Sequence, residues 1–144
     1  MDKDTVYLSK LLRGENMGIN IYKQYLNKLP NGTYKKEVDN FLDEHKRHKN
    51  RLENMMISRG EYPKAGTGIQ GKMSEGYTAA KLIIKGKPKD IMDDIYKGEL
   101  MALTSTQKYL TEFSESLRPD IEKLIDENKK RLEKVHNMIA TMEK

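Results

Sequence analysis

The chain contains no cysteine and no tryptophan, and it has only two phenylalanines and four prolines. Without cysteine there is no disulfide framework, no thiolate zinc or iron–sulfur site and no thiol nucleophile. No apolar run approaches the roughly 20 residues that a spanning helix needs, so no membrane partner is expected. The first ten residues, MDKDTVYLSK, lack the apolar core of a secretory signal, which makes a cytoplasmic location the default expectation. What is present is 144 residues, 36% hydrophobic and 34% charged, with nine methionines. That balance suits one domain, residues 1–144, built from helices that each bury a single stripe. The net charge of +5 is uneven: residues 1–89 carry 18 Lys/Arg against 10 Asp/Glu, and residues 90–144 carry 9 against 12. The lysines are not interleaved with aromatic residues, and no RNP, KH or zinc-finger pattern occurs. Nucleic-acid contact beyond nonspecific charge is therefore not expected.

Four segments repeat apolar residues at steps of three and four, the mark of an amphipathic helix. The first reads Leu8, Leu12, Glu15, Ile19, Tyr22, Leu26, Leu29; the second Val38, Phe41, His45, His48, Leu52, Met55. The third reads Met92, Ile95, Glu99, Leu103, Thr106, Leu110, Phe113; the fourth Ile121, Ile125, Asn128, Leu132, Val135, Ile139, with Arg131 beside it. Turn signals bound them. A helix is expected from Asp4 to Lys28, capped by Asp4 or Thr5, and a second, capped by Thr33, to Ser58. The third should span Lys89–Glu115, and the fourth should start near Pro119. The expected architecture is all-α: a hairpin at 4–58, a crossover at 59–88 carrying a short glycine-punctuated helix over 69–84, and a hairpin at 89–144. So long a crossover lets the second and third long helices run parallel.

Each stripe is interrupted by polar residues at the same depth. An unpaired buried charge costs several kcal/mol, about as much as the net stability of a small domain. These groups must bind something or satisfy one another. They also coincide with an internal repeat. Gly14-Glu15-Asn16-Met17 matches Gly98-Glu99-Leu100-Met101, and Leu42-Asp43-Glu44-His45 matches Ile125-Asp126-Glu127-Asn128. A pseudo-twofold would then relate Glu15 to Glu99, His45 to Asn128 and His48 to Arg131.

This pattern resembles the ferritin-like superfamily, and more narrowly an uncharacterised bacterial branch labelled a domain of unknown function. The resemblance covers essentially the whole chain. It implies a four-helix bundle with a long crossover and a carboxylate site built from one Glu on each of two helices and Glu-x-x-His on the other two. Glu15 and Glu99 fit the single-Glu positions, and His48 fits the histidine. The second helix reads His45-x-x-His48 instead, and the fourth reads Asn128-x-x-Arg131; arginine cannot ligate a metal. Glu15, His45, His48 and Glu99 could together hold one Fe, Mn or Zn ion, with Glu44 and Glu127 as substitutes. Arg131 would fill the second-metal region.

The metal-free alternative pairs Arg131 with Glu99 and Glu15, His45 with Asn128, and His48 with a carboxylate or water. A reduced metal-binding or structural module is thus the first functional expectation. A di-metal oxidase or peroxide scavenger and a basic DNA-protecting oligomer are the alternatives. Good ligands for only one ion argue against an enzyme. A homodimer is the simplest assembly to expect. Glu133-x-x-His136 spells the family motif out of register and reads as surface, and GxxGK at 68–72 is too short for a phosphate loop.

Overall fold

The computed structural model describes residues 2–63 and 87–142. It consists of four helices: α1 (Lys3–Lys28), α2 (Thr33–Ser58), α3 (Pro88–Leu110) and α4 (Arg118–Met142), with no strand among the described residues. None of these helices is long and apolar enough to cross a membrane. The expected crossover helix lies outside the described residues.

The helix ends differ from expectation in ways that local chemistry explains. Asp2, not Asp4 or Thr5, caps α1, accepting the Thr5 backbone N–H at 2.8 Å. A cap residue must sit in extended backbone before the first turn, and Asp2 does so at φ −71°, ψ 164°. Asp4 is already helical and buried. Its carboxylate accepts the Ser114 backbone N–H at 2.8 Å and the Ser114 hydroxyl at 2.7 Å, and Arg59 lies 3.0 Å away. Thr33 is likewise the first residue of α2 rather than its cap; the preceding Gly32 sits at φ 150°, which side chains rarely tolerate. The third helix stops at Leu110, five residues before the expected Glu115. There Glu112 and Phe113 close i→i+3 bonds onto Tyr109 and Leu110, and Phe113 turns into the core at 1% exposure.

Pairs across the bundle establish the directions. Arg59 at the end of α2 reaches Asp2 and Asp4 at the start of α1. Ser114, just past α3, meets Asp4, while Tyr25 near the end of α1 bonds Asp94 near the start of α3. On the other side Lys134 pairs with Glu37 and His48 with Glu127. Helix α1 is therefore antiparallel to α2 and α3, α4 is antiparallel to α2, and α2 and α3 run parallel as the crossover length allowed.

The core is in two pieces. One gathers around Tyr22, Tyr25, Phe41, Met92 and Val135, the other around Leu8, Leu52, Phe113, Ile121 and Ile125. Between them lies the polar layer. The two hairpins pack closely along their lengths, whereas α1 touches α3, and α2 touches α4, at fewer places.

Asp4 pins the α3–α4 turn to the start of α1. Removing it takes the carboxylate acceptor from both Ser114 donors and leaves Arg59 with Asp2 alone of its two carboxylates. Asp4→Ala should therefore lower unfolding free energy by about 2 kcal/mol, against about 1 kcal/mol for the cap removal Asp2→Ala. Urea denaturation of the two variants gives the comparison, and equal losses would show that Asp4 serves only the first turn.

Candidate functional site

His45 and His48 are one helical turn apart on α2, so both rings project from one face and both are buried. Opposite them on α1 stands Glu15, whose side chain is 14% exposed. His45 Nδ1 lies 2.7 Å from Glu15 Oε2, and its Nε2 lies 2.6 Å from Glu99 Oε1 on α3. Ionised carboxylates only accept, so both ring nitrogens donate and His45 is an imidazolium. Glu99 Oε1 takes two further donors, the Tyr22 hydroxyl at 2.6 Å and Arg131 Nε at 2.8 Å. Arg131, on α4, has a side chain with no exposed surface. It also donates to Asn128 one turn earlier and lies 3.4 Å from Glu44.

Burial opposes every charge here, and the pairing overrides it. Burial alone would raise the Glu15 carboxyl, but the charge and hydrogen bond of His45, joined by His48, hold it down at about 2. Burial likewise works against a charged His45, yet Glu99 and Glu15 push its pKa up to about 9. Glu99 is held far below the ordinary carboxylate range, because His45 and Arg131 outweigh its desolvation. Arg131 is desolvated too, and Glu99 above all raises it, so its charge is permanent. Burial and the neighbouring Glu99 charge raise Tyr22 well above an ordinary phenol, which keeps it a neutral donor. Glu15 and Glu99 thus balance His45 and Arg131, and the most buried part of the layer is neutral overall.

His48 Nε2 lies 3.0 Å from Glu127 Oε2 on α4, which Arg51 also reaches. Its Nδ1 lies 3.7 Å from Glu15 Oε1. The internal repeat reappears in these contacts: His48 with Glu127 and Arg131 with Glu44 are the same pairing seen from the two halves. Arg51 and Glu127 sit at the rim of the layer, where burial raises the Glu127 carboxyl but Arg51 and His48 lower it further.

All the residues that the sequence singled out for the layer lie in one region; Arg131 meets Glu99 and His48 meets a carboxylate as expected, while the remaining partners differ. Asn128 serves Arg131, not His45, because the two are one turn apart on α4. Arg131 reaches Glu44 rather than Glu15. Glu15, His45 and His48 each offer a ligand atom within 4.8 Å of one another. Glu99 stands instead on the opposite nitrogen of His45, and Glu127 on the opposite nitrogen of His48. His136 is exposed, as its register implied. Arg51 was missed; the signal was its place one turn after His48.

A family model matches residues 5–112, three quarters of the chain. The chain belongs to the family described as Domain of unknown function (DUF2383). No curated protein and no solved structure matches it. The DUF2383 match takes in Glu15, His45, His48 and Glu99, whereas Glu127, Asn128 and Arg131 lie beyond residue 112.

Two expectations follow. His45 titrates near 9 when folded against 6.5 ordinarily, so its stabilisation is full below pH 6.5 and lost as pH rises through 9. Glu15 titrates near 2 against 4.5, so its contribution is full above pH 4.5 and lost as pH falls toward 2. Thermal stability should therefore peak between these ordinary values and fall on the alkaline side by on the order of 3 kcal/mol. His45→Gln should remove that alkaline limb, and a limb that persists would assign it elsewhere. Arg131→Leu should cost about 3–5 kcal/mol by leaving Glu99 short of a counter-charge. A melting temperature unchanged from the parent protein would show that the arginine is dispensable.

Proposed function

We propose that this protein is a ferritin-like bundle whose carboxylate–histidine centre has been reduced to a single-ion site, and that it works as a divalent-metal-binding module. Glu15, His45 and His48 are its ligands. One observation carries this reading. Both imidazoles turn Nδ1 toward the same Glu15 carboxylate, at 2.7 and 3.7 Å, and both give Nε2 to a second carboxylate, Glu99 or Glu127. Histidines that ligate metals are held in this manner, the outer carboxylate orienting the ring and making its inner nitrogen more basic. Two imidazoles and one carboxylate suit Zn, Fe or Mn and leave open coordination positions. Asn128 and Arg131 stand where the pseudo-twofold would place a second set of ligands. Arginine offers no lone pair, which argues against a two-ion oxidase or peroxide scavenger.

A second reading has its own support. The charges of Glu15, Glu99, His45 and Arg131 balance, and both nitrogens of His45 have partners. On that reading the layer is a structural network that needs no ion.

Calorimetric titration of chelator-treated, tag-free protein separates the two. Metal binding predicts one ion per chain, with a loss of at least tenfold in affinity in Glu15→Gln and His48→Ala. The outer-carboxylate variant Glu127→Gln, whose side chain is 34% exposed, should lose about 10-fold or more. No heat with Zn, Mn or Fe(II), or full affinity in Glu15→Gln, would leave the structural network standing. Two ions per chain would return the two-metal enzyme to consideration.

A further inference from the structure

A cavity of about 230 Å³ opens between α1 and α3, where the two hairpins touch at few places. Two of the three metal ligands, Glu15 and His45, form part of its wall. We infer, resting on the single-ion reading of Glu15, His45 and His48, that this cavity is the approach to the ion and holds a further ligand for it: a monocarboxylate with a short apolar chain, whose carboxylate completes the coordination.

The approach follows from Gly18. This half-buried residue lines the cavity. A Cβ built there would lie 3.8 Å from His45 Nδ1, the nitrogen that faces Glu15. An alanine would therefore fit at ordinary contact distance, and it would favour the helix. What glycine keeps instead is room beside the ligand nitrogen, on the cavity wall. Two imidazoles and one carboxylate leave coordination positions to be filled from there.

The head group follows from charge. Glu15, Glu99, His45 and Arg131 balance without an ion. A divalent cation brings two charges, and the proton it displaces from His45 Nδ1 removes only one. One positive charge is then left over among these groups, where burial makes it costly. A carboxylate on the ion cancels that charge. An ammonium has no lone pair to give the ion and would add to the excess. The other polar groups of the wall agree. Ser105 and Tyr109 bring hydroxyls that can donate to an anion. The exposed Lys10 ammonium, over the rings of Tyr7 and Tyr109 at 5.1 and 5.5 Å, sets a cation at the same end of the cavity, where it attracts anions. Asp94 lies toward the opposite end and is bonded by Tyr25.

The chain follows from the rest of the wall. Leu11, Met17, Ile21 and Ile95 are apolar. The volume is that of about eight waters of bulk liquid, which suits n-hexanoate with its six carbons and two oxygens. Each methylene buried there strengthens binding roughly fourfold.

The test loads chelator-treated, tag-free, full-length protein with Co(II), whose visible bands change with its ligands. It is then titrated with n-hexanoate, acetate, n-hexanol and n-hexylammonium. Hexanoate should shift the bands saturably and bind at least tenfold more tightly than acetate, which shares its head but leaves the apolar wall uncovered. The alcohol and the amine should leave the bands unmoved. Metal-free protein should bind hexanoate at least tenfold more weakly, and by linkage saturating hexanoate should tighten Co(II) by the same factor. In Zn-loaded protein the amide NMR shifts caused by hexanoate should centre on Gly18, Ile21 and Gly98. Gly18→Leu should weaken hexanoate at least tenfold, and the amide shifts locate the ligand if that variant does not fold. Unmoved bands, equal affinity for acetate and hexanoate, equal binding to metal-free protein, shifts away from the cavity or full binding in Gly18→Leu would each overturn the inference while leaving the single-ion site in place. If Co(II) itself does not bind, the single-ion reading fails and this inference with it.

Discussion

One imidazolium held between two carboxylates is the constraint on which the bundle turns. His45 of α2 donates to Glu15 of α1 and to Glu99 of α3, and Glu99 passes the connection to Arg131 of α4. All four helices meet in this chain of charge-assisted bonds. Each member is a liability alone, because desolvating an ion costs several kcal/mol. Together they are neutral, and each short bond gains strength from the low dielectric around it. The same burial that would drive His45 neutral makes its attraction to Glu99 and Glu15 strong enough to keep it charged.

The layer also constrains the arrangement of the apolar core. It divides the buried hydrophobic residues into two clusters, one at each end of the bundle. A helix displaced by a turn would bring a charged group against an apolar cluster and leave its former partner unpaired, at about 3–5 kcal/mol. Apolar side chains alone tolerate such slippage far better, since they pack with many neighbours of similar shape. Salt links at the ends, Asp4 with Arg59 and Glu37 with Lys134, act in the same sense but are partly hydrated and weaker.

The two halves of the bundle use one plan for different chemistry. His48 with Glu127 and Arg131 with Glu44 are equivalent pairings, and Gly14-Glu15 faces Gly98-Glu99. The first half presents two imidazoles, which can exchange a proton for a metal ion. The second presents an amide and a guanidinium, which cannot. That asymmetry supplies the permanent positive charge that lets Glu99 remain ionised beside His45, and it concentrates the candidate ligand atoms on the Glu15 side.

Helix identity, the inward stripes and the polar layer were legible in the chain because they depend on a period of 3.6 residues, which is a local property. Leu8 to Leu29 and Val38 to Leu52 followed from spacing, and Gly32 and Pro119 marked turns by their own backbone preferences. Spacing could also place Glu15, His45, His48, Glu99, Asn128 and Arg131 at one depth, because unpaired charge cannot be scattered through a core. It could not say which nitrogen of His45 meets which carboxylate, that Asn128 serves Arg131, or that Asp4 leaves the cap to Asp2 and bonds Ser114 instead. Nor could it reveal a cavity beside Glu99. Those outcomes depend on how far apart helices pack and how each is rotated about its axis, to within an ångström or so. Hydrogen bonds are decided at that scale, and only the assembled bundle sets it.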